Sequence, residues 1–126
     1  DWSSDVCSSD LPVLMFVDEV LRGTNTVERI AASSEILKSV SASKALVFAA
    51  THDIELTTLL SGQYDNYHFQ EKVTDDEVIF DFKLYSGPAT TRNAIKLLKT
   101  IGYNSDIIHA AENSARYFLE NGKWNC

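Results

Sequence analysis

Three features of this 126-residue sequence predict an α/β fold: two short apolar runs, an amphipathic stretch of helical period between them, and a later change of period from 3.6 to two. The first run, Pro12-Val13-Leu14-Met15-Phe16-Val17-Asp18, stays apolar until it ends in acid, which predicts a strand buried on both faces of a parallel sheet. Gly23-Thr24-Asn25-Thr26 breaks it. From there Val27, Ile30, Ala31, Leu37 and Val40 recur at helical spacing to about Ser41. Residues 24–26 offer caps, and Glu28 in the first turn complements the helix dipole. Residues 45–50, A-L-V-F-A-A, read as a second buried strand, and the order strand, helix, strand implies a right-handed parallel crossover. After Thr51-His52-Asp53 a short helix is predicted over residues 54–60.

Beyond Ser61-Gly62, Tyr67 and Phe69 alternate with His68 and Gln70, and Val78, Phe80, Phe82 and Leu84 alternate with Ile79, Asp81, Lys83 and Tyr85. With Thr74-Asp75-Asp76 as the turn between them, this predicts a β-hairpin with one packed and one wet face. Ser86-Gly87-Pro88 ends it. Two helices follow, over residues 90–101 and 105–121, separated by Gly102-Tyr103-Asn104 and stopped by Gly122. His68 and His109 read as surface residues of the hairpin and the last helix. Tyr103, Tyr117 and Phe118 suit helix packing, with a dimer surface as the alternative.

Composition bounds the function. A hydrophobic content of 44% supports one packed core, and the length sets a ceiling of one domain. No apolar run approaches the length that crosses a bilayer, which predicts a soluble chain without membrane contact in this segment. The net charge of −7 excludes a broadly basic nucleic-acid surface, so any DNA contact is expected to lie elsewhere. Cys7 and Cys126 have neither metal-ligand spacing nor a disulfide framework, which suits a reducing, cytoplasmic location.

Residues 1–11, D-W-S-S-D-V-C-S-S-D-L, are rich in Ser and Asp, have no period, and abut the first apolar run without a turn. The string resembles the conceptual translation of a sequencing adapter, which would make it a scar on a truncated reading frame; a disordered tail is the alternative. Without Asp1, Asp5 and Asp10 the remainder holds 15 acids against 11 bases, a charge of −4. The expected division is therefore residues 1–11 as artefact, 12–122 as the folded part and 123–126 as a tail.

Four apolar residues followed by Asp18-Glu19 form a Walker B pattern, a strand that delivers two carboxylates at its C-terminal end, where open α/β sheets bind ligands. In such sites one acid holds Mg²⁺, usually through water, and the next orients or deprotonates the attacking water. A solvated strand end leading into the next helix has the same pattern. His52 follows Glu19 by 33 residues, at the end of the second predicted strand. Parallel neighbours present their C-terminal ends on one rim, so this histidine can stand beside a phosphate that Glu19 addresses; a core or capping histidine is the other reading of His52 alone.

Taken together, L-M-F-V-D-E-V-L-R-G-T-N-T at residues 14–26, A-A-T-H-D-I-E-L-T at 49–57 and G-P-A-T-T-R-N-A-I-K-L-L-K-T-I-G-Y at 87–103 resemble the ATPase domain of the MutS family, over nearly all of residues 12–111. The resemblance implies part of a P-loop NTPase sheet of the ABC type, with a crossover helix, a hairpin and C-terminal helices. It implies ATP and Mg²⁺ as ligands, with Asp18 as the magnesium acid, Glu19 as the catalytic acid and His52 as the switch-loop histidine. Gly23, Thr24, Asn25 and Thr26 match the loop that in the family lies at the ATPase dimer interface near the partner's nucleotide. A homodimer or family heterodimer, and DNA contact through regions outside this segment, are implied with it.

Mismatch-repair MutS proteins usually read D-E-I-G-R-G-T-S-T, whereas Leu21 here replaces a glycine and Asn25 a serine; the closing segment has Ala89-Thr90-Thr91-Arg92-Asn93 where those members tend toward S-Y-G. These departures place the chain nearer the MutS-related proteins. No G-x-x-x-x-G-K-[ST] phosphate loop occurs in the 126 residues, so ATP hydrolysis is expected of the full-length protein and inactivity of this segment alone. Another ABC-type ATPase and a non-catalytic dimerisation module are the alternative readings.

Overall fold

The structure is a computed structural model that describes residues 12–91 and 93–125; residues 1–11 with Cys7, as well as Arg92 and Cys126, lie outside the described residues. Its elements are β1 (Val13–Asp18), α1 (Thr26–Ser41), β2 (Ala45–Ala50), α2 (Ile54–Leu59), β3 (Tyr67–His68), β4 (Glu71–Val73), β5 (Val78–Phe80), β6 (Tyr85–Ser86), α3 (Ala94–Ile101) and α4 (Ser105–Asn121). This is a mixed α/β chain with short sheets and C-terminal helices. The described residues form two compact units, one of residues 12–67 with Ser86–Pro88, the other of His68–Tyr85 with residues 89–91 and 93–125.

In the first unit β1 and β2 pair in parallel from Val13 opposite Ala45 to Asp18 opposite Ala50, with α1 as the connection. The helix begins at Asn25, whose Oδ1 accepts from the N–H groups of Val27 (3.0 Å) and Glu28 (3.3 Å), two of the donors a helix start leaves without partners. Leu37 of α1 packs with Leu56 and Leu60, and Val20, Ile30 and Tyr64 close around them. The Tyr64 hydroxyl donates to the Leu37 carbonyl at 2.8 Å, and burial pushes its pKa up.

Two expectations for this unit are corrected. The strands are covered on one face only, because a single crossover helix covers a single face. Val13, Met15 and Val17 are half-buried, while Leu14, Phe16, Leu46 and Phe48 are exposed on the other side, with the two phenylalanine rings stacked at 5.5 Å. The buried stripe of α1 is also rotated from the predicted one: Val27 is 76% exposed and Ala31 exposed, whereas Ser33 is fully buried and Ser34 nearly so. A small hydroxyl side chain can occupy a close-packed position if its polar atom is bonded, and Ser33 Oγ donates to the Val20 carbonyl at 3.3 Å.

In the second unit β4 and β5 form an antiparallel hairpin with Val73 opposite Val78 and Glu71 opposite Phe80. Its turn is closed by the Thr74 N–H donating to the Glu77 carbonyl at 2.9 Å and by the Glu77 N–H donating to Thr74 Oγ1 at 3.1 Å. The ladder is shorter than predicted. Asp81 takes the Lys83 N–H at 3.0 Å and the Tyr85 hydroxyl, and Phe82 adopts φ +54, so a local side-chain turn replaces the strand pattern. Tyr85 pairs instead within the β3–β6 sheet.

Helix α3 starts at Ala94 rather than at residue 90. The β-branched pair Thr90-Thr91 favours extended backbone, and Asn93 at the cap gives its side-chain N–H to Glu71 at 3.0 Å instead of accepting from its own helix. Gly102 at φ +92 and Gly122 at φ +70 end α3 and α4 in left-handed caps, as the sequence predicts. Among the described residues, no helix is long and apolar enough to cross a membrane.

Candidate functional site at the β1 and β2 strand ends

The ladder between β1 and β2 continues one residue past the strands, since the Glu19 N–H donates to the Ala50 carbonyl at 2.9 Å. This bond carries the backbone of Glu19 to the same rim as residues 51–53. Asp18 ends β1 with its side chain on the exposed side of the sheet, and Glu19 turns at φ +48. That conformation costs a non-glycine residue about 1–2 kcal/mol, and here it aims the carboxylate across the strand ends.

Glu19 Oε1 lies 3.0 Å from His52 Nε2, and Glu19 Oε2 accepts from Arg22 Nε at 2.8 Å. Glu19 is 23% exposed and His52 94% exposed, so the histidine is not a core residue, and the cap position of α2 is held by Asp53. An acid half-shielded by the fold thus stands in contact with a histidine that projects into solvent. Such a pair can hold a water or a phosphate oxygen at the rim and move a proton.

The loop of residues 23–26 begins with Gly23 at φ +85 and is exposed throughout. The acceptor oxygen of Asn25 is committed to the start of α1, and Thr26 is the first residue of that helix, so both have local tasks in addition to any ligand contact. Leu21, at the position where the D-E-I-G-R-G motif has glycine, adopts φ +57. The backbone therefore keeps the shape that a glycine would favour.

Three contributors escaped the sequence reading: Arg22, and the pair Arg29 and Asp53. Arg29 Nε and Nη2 bond Asp53 Oδ2 and Oδ1 at 2.9 and 2.6 Å, a two-pronged contact between α1 and the residue after His52. The Asp53 carboxylate holds the Arg29 guanidinium still more firmly protonated than usual, chiefly through this hydrogen bond. A basic and an acidic residue 24 positions apart gave no local signal of their pairing.

No group of three or more His, Cys, Asp or Glu side chains fit to cage a metal ion occurs among the described residues. Magnesium needs no such cage, because it keeps several waters and binds through one or two carboxylates together with phosphate oxygens. Asp18, at the end of β1, is an exposed carboxylate of the kind such binding uses.

Open α/β sheets bind ligands at the C-terminal rim of their strands, and this unit presents an acid and a histidine together at two neighbouring parallel strand ends. The family model for MutS domain V matches residues 7–119, a span that begins inside the segment 1–11, and the chain belongs to that family. It is similar to the DNA mismatch repair protein MutS of Aquifex pyrophilus, with 35% identity over 103 residues. That alignment covers 79% of this chain and 12% of the relative, so the chain spans about an eighth of the relative's length.

Proposed function

We propose that this chain is part of the ATP-hydrolysing domain of a MutS-family protein, with its β1–β2 sheet belonging to a P-loop NTPase fold of the ABC type. The observation that supports this most directly is the 3.0 Å contact between Glu19 and His52 at two neighbouring strand ends. In this reading Glu19 orients and deprotonates the attacking water, and His52 hydrogen-bonds a γ-phosphate oxygen as charge develops there. Catalysis of this kind is mostly positioning and electrostatic stabilisation. Asp18 would hold Mg²⁺ through water; the ion, when bound, neutralises phosphate charge. The phosphate-binding loop that ATP requires has no counterpart in the 126 residues and would come from other parts of the full-length protein.

Thr24, Asn25 and Thr26, with Gly23 as their hinge, would face the nucleotide of a second ATPase domain in a homodimer or family heterodimer. Contact with DNA would lie in other regions of a cytoplasmic protein, consistent with the acidic charge of this chain. Leu21 and Asn25 favour a MutS-related branch over mismatch recognition proper.

The test is Glu19→Gln in the full-length protein. Binding of ATP is expected to persist while turnover falls by about 10²–10⁴-fold, the usual contribution of a positioned general base. Unimpaired turnover would remove Glu19 from its role.

The exposed face of Leu14, Phe16, Leu46 and Phe48 favours a second reading, a non-catalytic dimerisation module. Light scattering on the 126-residue chain separates the two. A dimer formed without nucleotide supports the module, and a monomer indifferent to Mg-ATP supports a part of a larger enzyme.

A further inference from the structure

Aspartate is among the best residues for starting a helix, because its carboxylate accepts from the first backbone N–H groups. Asp53 stands at the start of α2, yet its side chain makes no such bond. Both of its oxygens go to Arg29 on α1, at 2.9 and 2.6 Å, with the two side chains only 23% and 15% exposed. The local bond is forgone for a contact across the unit. On either side of Asp53 the backbone is also tied, its N–H donating to Thr51 Oγ1 at 3.0 Å and its carbonyl accepting from Leu56 at 3.1 Å. His52 lies between these anchors and reaches Glu19. Arg29, in turn, donates its backbone N–H to Asn25 at 2.8 Å, inside the loop of residues 23–26.

We infer that Arg29 and Asp53 form a positioning pair: they clamp the loop after β2 onto the first turns of α1, so that the imidazole of His52 is held against Glu19 and in step with residues 23–26. Neither residue touches the reacting atoms. A guanidinium–carboxylate fork fixes orientation as well as distance, which a single-point contact does not. The inference rests on the proposed role of His52 at the terminal phosphate.

The experiment is nuclear magnetic resonance of the 126-residue chain with ¹⁵N-labelled histidine, at one fixed pH and without nucleotide. Glu19→Gln marks where the His52 imidazole signals move when their partner is lost; His68 and His109 serve as internal references. Arg29→Gln and Asp53→Asn are each expected to move the His52 signals to that same place and to abolish the ring-proton contacts with Glu19. Arg29→Lys, which keeps charge but not the fork, is expected to produce the same displacement only in part. The reversed pair, Arg29→Asp with Asp53→Arg, is expected to restore the original signals.

His52 signals unmoved in folded Arg29→Gln or Asp53→Asn overturn the inference. Loss of the fold in Arg29→Gln, Asp53→Asn and Arg29→Lys alike also overturns it, because the pair is then a general structural tie. Normal turnover in Glu19→Gln overturns the hydrolytic reading alone, since no nucleotide enters the resonance experiment.

Discussion

The backbone N–H of Glu19 donates to the carbonyl of Ala50, so the parallel ladder outlasts the strands by one residue and delivers an acid beside the turn that holds His52. One consequence is that the shape of residues 19–23 is set by backbone geometry as much as by side chains. Glu19, Leu21 and Gly23 all have positive φ, alternating with Val20 and Arg22.

Gly23→Ala is expected to lower stability by about 1 kcal/mol, purely through φ +85, because nothing stands within 4 Å of the added Cβ. Leu21→Gly is expected to do the opposite. Relief of about 1–2 kcal/mol of left-handed strain outweighs about 0.5–1 kcal/mol of added chain entropy. Urea unfolding of the two variants checks both signs, and a Leu21→Gly variant that unfolds earlier than the parent refutes the strain argument.

Asn25→Ala removes the side-chain acceptor from the start of α1. A loss of about 1 kcal/mol is expected, and Asn25→Asp, which keeps the acceptor, is expected to recover it. Thermal melts of the three proteins decide the matter. A silent Asn25→Ala would mean that its oxygen serves something other than the helix.

Tyr64 gives a dependence on pH. Burial raises its pKa above the ordinary value of about 10, so the neutral phenol is favoured in the folded chain. Its contribution is fully present below pH 10 and is lost as pH rises through the folded-state value. Tyr64→Phe removes the bond to Leu37 and is expected to cost about 1 kcal/mol at neutral pH. The gap between parent and variant should then shrink as urea midpoints are followed from pH 8 to 11. A constant gap would contradict the assignment.

Phe16 and Phe48 occupy an exposed sheet face, stacked on each other. Phe16→Lys with Phe48→Glu replaces the stack by an opposite-charge cross-strand pair, at a cost of about 0.5–1.5 kcal/mol for the aromatic contact. Self-association at rising concentration should diminish in sedimentation velocity. Unchanged association would place the sticky surface elsewhere.

Local physics made much of this molecule legible in its residues. The apolar runs at β1 and β2, the start of α1 at residues 24–26, the Thr74 turn and the glycine stops at Gly102 and Gly122 all depend on neighbours in sequence. So does the expectation that Glu19 and His52 share a rim, because parallel strands joined by one helix end on the same side. Tertiary structure decided the rest. Ser33 is buried because a distant carbonyl, that of Val20, satisfies its hydroxyl. One sheet face is open because α1 covers only the other. The ladder stops at Phe80 because Asp81 binds Lys83 and Tyr85. Arg29 finds Asp53 only when α1 folds onto the loop after β2. Period and propensity report what a residue does along the chain; which partner answers a buried hydroxyl or a charge is fixed only when separate segments meet.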